Sequence, residues 1–118
     1  MANYGLFIGF GVPVRGREAK SLERFNEAMQ YYTRLQQEGT IESWEAALLE
    51  PHGGDLGGFF LIRGDMEKIS RLRVDTEFMR LTTRASLIVD SIGVVGALIG
   101  DSLNEAVVTF QEAIGELT

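Results

Sequence analysis

The chain has no cysteine, one histidine, one tryptophan and two prolines among its 118 residues, and these shortages close off chemistry. Without thiols there is no disulfide, no thiolate metal site and no cysteine nucleophile, which fits a reducing compartment. One histidine with scattered carboxylates does not assemble the three or four converging ligands that a metal needs, so neither metal nor cofactor is expected. No apolar run is long enough to span a bilayer, and the start MANYGLFIGFG lacks a basic leading region and a small-residue cleavage site. A soluble, cytoplasmic protein without a membrane partner is the expectation. The net charge is -6 and no basic cluster is longer than Arg15 to Lys20, so a phosphate backbone would be repelled and nucleic acid is not an expected partner.

What is present is a globular balance, 45% hydrophobic and 24% charged, enough for a single domain over residues 1–118. Three strand-like segments, Tyr4 to Phe10, Gly58 to Arg63 and Leu87 to Ile99, are apolar on both faces. Phe7 sits between Leu6 and Ile8, Phe59 beside Phe60, and Ile88 beside Val89. A small sheet with one wet face should alternate apolar and polar residues instead, so something must cover the second face.

Between these segments the pattern changes period. From Arg17 to Gln37 the apolar residues Leu22, Phe25, Met29, Tyr32 and Leu35 recur at helical steps, and Gly39 marks the stop. A further strand is expected over Ile41 to Leu49. The glycine-rich link PHGGDLGG, Pro51 to Gly58, is too short for a parallel crossover, so this strand and the next form a hairpin. Asp65 and Asp75 are placed to cap two short helices carrying Ile69, Leu72, Phe78 and Leu81. After the last strand, Asp101 or Ser102 is expected to cap a final helix with the stripe Leu103, Val107, Phe110, Ile114 and Leu117.

The order is βαββαβ plus a terminal helix, an α+β ferredoxin-like arrangement with a four-stranded antiparallel sheet covered by helices on one face only. Leaving roughly six large side chains of the other face in water forgoes about 1.5 to 3 kcal/mol each, comparable to the stability of a whole domain. A second copy of the chain, packed sheet to sheet, removes that loss. The expected partner is therefore the protein itself, as a homodimer.

With its element order, its PHGGDLGG turn and the stretch VDTEFMRL from Val74 to Leu81, the whole chain resembles the dimeric α+β barrel superfamily. The resemblance extends to antibiotic-biosynthesis-monooxygenase-like proteins. It implies two ferredoxin-like subunits closing a barrel, and among its possible activities are cofactor-independent monooxygenation and isomerisation.

Candidate chemistry rests on few residues. His52 is the one unperturbed side chain able to move a proton near neutral pH, and it is either a site residue at the cavity mouth or an exposed turn residue. Arg63 and Asp90 are charges inside otherwise apolar strand segments, expected to pair with each other or to project into the barrel. The aromatic faces of Tyr4, Phe7 and Trp44 suit a flat apolar ligand. Arg84 could steady an acidic or enolate-like ligand, or neutralise Asp75 or Glu77. The glycine pair Gly9-x-Gly11 is not a dinucleotide fingerprint, because the third glycine is missing and the following strands form a hairpin. Two functions follow: binding or transformation of a small planar apolar compound, with His52 or Asp90 moving a proton, or a non-catalytic interaction module whose barrel is filled by its own side chains.

Overall fold

The computed structural model describes residues 2–117. Its elements are β1 (Tyr4–Phe10), α1 (Glu18–Gln37), β2 (Ser43–Leu48), β3 (Gly58–Gly64), α2 (Met66–Arg73), α3 (Thr76–Ser86), β4 (Gly93–Ala97) and α4 (Asp101–Glu116). The four strands form one antiparallel sheet in the order β2-β3-β1-β4. No helix among the described residues is long and apolar enough to cross a membrane.

Local chemistry explains most boundaries. The Asp65 side chain accepts from Lys68 N–H at 3.1 Å, and that of Asp75 accepts from Glu77 N–H at 3.1 Å and Phe78 N–H at 3.4 Å. Each satisfies donors that a helix start leaves unpaired. Gly39, at φ +80°, ends α1 in the left-handed conformation that its missing Cβ permits.

Strand parity then builds the core. Register sets Leu6 opposite Ile62, Ile8 opposite Phe60 and Trp44 opposite Ile62, so these side chains share one face. The helices bury that face with Ala28, Tyr31, Tyr32, Leu35, Ile69, Leu72 and Phe78. Intervening positions point the other way: Phe7 on β1, Phe59, Leu61 and Arg63 on β3, Glu45 on β2, Val95 on β4. Among the described residues no helix packs on this second face.

Two expectations need correction. The last strand is not Leu87 to Ile99 but only Gly93–Ala97. Leu87 closes α3, the amides of Ile88 and Val89 both donate back to Ala85 O at 3.0 Å, and Ser91 turns at φ +57°, which breaks any extended run. Neither Asp101 nor Ser102 caps α4 by side chain; Gly100, at φ +57°, is the N-cap, while Ser102 Oγ accepts from Ile99 N–H and donates to Ile99 O.

The final helix stands apart. Its stripe residues Leu103, Val107, Phe110 and Ile114, with Leu117 beyond, are 46 to 89% exposed, and Ser102 is its one buried residue. Accordingly the molecule measures 54 × 37 × 22 Å, with a radius of gyration of 16.2 Å. A compact chain of this length would have about 13.5 Å.

Candidate functional site

Three aromatic rings from three elements meet at one end of the helix-covered face. Phe25 of α1 lies 5.1 Å from Phe60 of β3 and 6.2 Å, edge-on, from Phe10 at the end of β1, ring centroid to centroid; Phe10 and Phe60 are 6.0 Å apart. Behind the rings, between the sheet, α1 and α3, is an inner cavity of about 60 Å³ bounded by Ile8, Tyr32, Leu81, Ile88 and Ile92. In front is an open groove of about 590 Å³ between the start of α1 and the β2-β3 connection, walled by Val12, Leu22, Leu48, Leu49, Pro51 and Leu56. Phe10, Phe25, Ser21 and Val89 border both spaces, so the aromatic cluster is a partition between them. Leu22 and Leu48 are 62% and 68% exposed, which leaves apolar surface in the groove to be covered.

One polar group inside this region is unsatisfied. Tyr32 is fully buried, and its hydroxyl has no hydrogen-bond partner among the described residues. Burial pushes its phenol well above the ordinary tyrosine value. An unpaired buried hydroxyl costs about 1 to 3 kcal/mol.

No family model matches the chain, and no curated protein does. Solved structures do. A dimeric ferredoxin-like protein of unknown function from Jannaschia sp. is 16% identical with a TM-score of 0.62, over 81% of this chain and 99% of that one. A DABB family protein with a ferredoxin-like fold from Mesorhizobium loti is 8% identical with a TM-score of 0.64, over 83% and 98%. SnoaB, a cofactor-independent oxygenase from Streptomyces nogalater, is 14% identical with a TM-score of 0.53, over 84% and 95%. The chain shares the ferredoxin-like fold of these proteins. At these identities the likeness is one of fold.

Within this fold, the residues expected to form a site are dispersed. Tyr4, Phe7 and Trp44 do not share a face. Tyr4 and Trp44 pack on the helix-covered core, Trp44 lying 6.2 Å from both Tyr32 and Phe60, while Phe7 stacks on Phe59 across the uncovered face. Phe7 follows Tyr4 by three positions, an odd step that in a regular strand puts them on opposite sides. Tyr4 crosses the backbone at Gly96, where a Cβ would come within 1.8 Å of its hydroxyl.

The charged pair is also dissolved. Arg63 reaches Glu45 on the neighbouring strand at 2.5 Å, not Asp90. Asp90 lies outside any strand and is exposed; its backbone accepts from Gly11 N–H at 2.7 Å and donates to Val12 O at 3.0 Å, tying residues 88–90 to the chain after β1. A Cβ at Gly11 would meet Asp90 O at 2.6 Å, so close backbone approach explains that glycine. Arg84 does not pair with Asp75 or Glu77; it bonds Glu27 of α1 at 3.1 Å, and Glu77 takes Arg34 at 2.6 Å. Both pairs tie α1 to α3 on the outside.

His52 does lie along the groove, but its ring is engaged. Nδ1 accepts from Gly54 N–H at 3.2 Å, and Nε2 sits 2.6 Å from Leu56 O, so in this pattern Nε2 carries the proton. Both nitrogens are used within their own loop. Among the described residues no group of three or more His, Cys, Asp or Glu side chains is placed to hold a metal ion.

Sequence reasoning missed Phe10, Phe25, Phe60 and Tyr32 as a site. Their periodicity marks them as core, and nothing in the pattern shows that the core stops short of filling.

Proposed function

We propose that the protein is a homodimer that binds a small, mainly apolar compound in the groove beside His52, with the aromatic partition as its floor. The observation that carries this reading is an open apolar groove floored by Phe10 and Phe25, with a small cavity bounded in part by Tyr32 on the far side of those rings. The groove is within the roughly 300 to 1,000 Å³ of small-molecule sites, whereas the inner cavity alone has room only for about one or two water-sized groups. A compound with a flat apolar body fits the groove, its body resting on Phe10 and Phe25.

Binding is the function that the geometry supports best. The fold likeness to SnoaB supports a chemical step of the oxygenase kind, but such a step needs a group to take a proton. His52 uses both nitrogens in its loop, and Asp90 is not among the residues that line the groove or the cavity. The homodimer is supported by the dimeric relatives and by the uncovered face that carries Phe7, Phe59, Leu61 and Val95.

The test is a fluorescence titration with 1-anilinonaphthalene-8-sulfonate on the parent and on Leu22→Glu and Leu48→Glu. Both positions are exposed, so folding is retained. Saturable binding with one site per subunit, weakened at least tenfold by either charge, supports the groove. Equal binding by all three proteins rejects it.

A further inference from the structure

We infer that α4 is an arm that seats on a second copy of this chain, its stripe of Leu103, Val107, Phe110, Ile114 and Leu117 packing on the partner subunit. This rests on the homodimer proposed above and goes beyond it, because sheet-to-sheet contact alone leaves α4 without a role.

Three observations choose the occupant. The first is charge. The polar side of α4 carries Asp101, Glu105, Glu112 and Glu116, and the helix has no lysine or arginine at all. Interfacial helices that lie on anionic lipid carry basic polar faces, and nucleic acid demands the same, so both are the wrong sign. With those two surfaces excluded, a protein surface remains, and the dimeric solved structures of this fold point to a second copy of the chain.

The second is continuity. α4 leaves the edge strand β4 after only Leu98 to Gly100, and Val95 and Leu98 are themselves 54% and 49% exposed. The helix therefore leaves the sheet directly beside Val95, which lies on the uncovered face where the second subunit is proposed to pack. An apolar surface of this kind on one molecule marks a contact with another.

The third is shape. α4 takes no appreciable part in the packing of its own domain and gives the molecule its 54 Å length. A two-fold dimer that uses the same surface on both subunits receives two such arms reciprocally, each returning the cover that it gains.

The absence of cysteine makes the experiment direct. Phe110→Cys provides a single thiol, which is labelled with benzophenone maleimide and irradiated at micromolar protein. The expected result is a covalent band at twice the chain mass on a denaturing gel, with the cross-linked peptide mapped to the unlabelled region of the other subunit in mixed-isotope dimers. Photoproducts confined to one chain, while light scattering still reports a dimer, overturn the arm and leave the homodimer standing. A monomer by light scattering overturns both. As a second measurement, Val107→Asp should raise the dimer dissociation constant at least tenfold with helix content retained; an unchanged constant counts against the arm independently of the labelling.

Discussion

Phe7 and Phe59 stack on the sheet face that no helix covers, their ring centroids 5.1 Å apart and their planes inclined by 29°. They belong to adjacent antiparallel strands, and such aromatic pairs add about 0.5 to 1.5 kcal/mol beyond their buried area. The pair forms the middle of the proposed sheet-to-sheet contact.

Replacing either ring by a carboxylate puts a charge where the second sheet would lie, and an unpaired charge cannot be desolvated cheaply. Phe7→Asp and Phe59→Asp are expected to abolish the dimer or the fold. Light scattering that reports a folded dimer for both variants would count heavily against the barrel.

Tyr32→Phe separates ligand binding from stability. In the free protein the substitution removes a buried hydroxyl that has no partner among the described residues, so unfolding in urea should shift upward, by up to about 1 kcal/mol, or stay level. A ligand held in the groove, which Tyr32 does not line, should bind the variant as it binds the parent. Destabilisation by more than about 1 kcal/mol would show that the hydroxyl is satisfied after all.

How much of this was legible in the sequence depends on the range of the interaction. Element order along the chain, the hairpin, the caps Asp65 and Asp75 and the stop at Gly39 follow from local pattern, and the structure has them. Parity within β1 already separates Tyr4 from Phe7, and grouping the two overlooked it. The partners of Arg63 and Arg84 could not be read, because Glu45 and Glu27 come into reach only through sheet register and the packing of α1 on α3. The cavity was invisible for a related reason: an apolar stripe says that a face is buried, and the space left between Phe25, Tyr32 and Leu81 depends on how side chains interlock. Strand four was overextended because Leu87, Ile88 and Val89 have the composition of a strand while serving as the end of α3 and a bridge to Pro13.

His52 holds its loop by two hydrogen bonds to backbone, both in an exposed turn. His52→Ala should therefore leave the oligomer intact, cost about 1 kcal/mol or less, and speed proteolysis within residues 51–57 several-fold. Ligand affinity would fall through loosening of the groove wall. Unchanged proteolysis and unchanged affinity together would remove His52 from both roles.

Alkaline pH probes the α1-α3 contact. Burial first, then the carboxylates of Asp75 and Glu77, push the Tyr31 phenol up to about 12, while Arg34, stacked 5.2 Å over the ring, opposes them. The unfolded chain releases this proton near pH 10, so the folded form holds it longer. The sign follows: the contribution is fully present below pH 10 and is lost as pH rises from 10 through 12, because over that interval the unfolded state gains from ionisation and the folded state does not. The loss should be on the order of 1 to 2 kcal/mol, smaller than the full shift implies because the neighbouring carboxylates are at the surface. Urea midpoints measured from pH 8 to 11 should fall above pH 10 in the parent and fall less in Tyr31→Phe. Parallel decline in both proteins would assign the alkaline loss elsewhere, with Tyr32, which burial also pushes up, as the first residue to test.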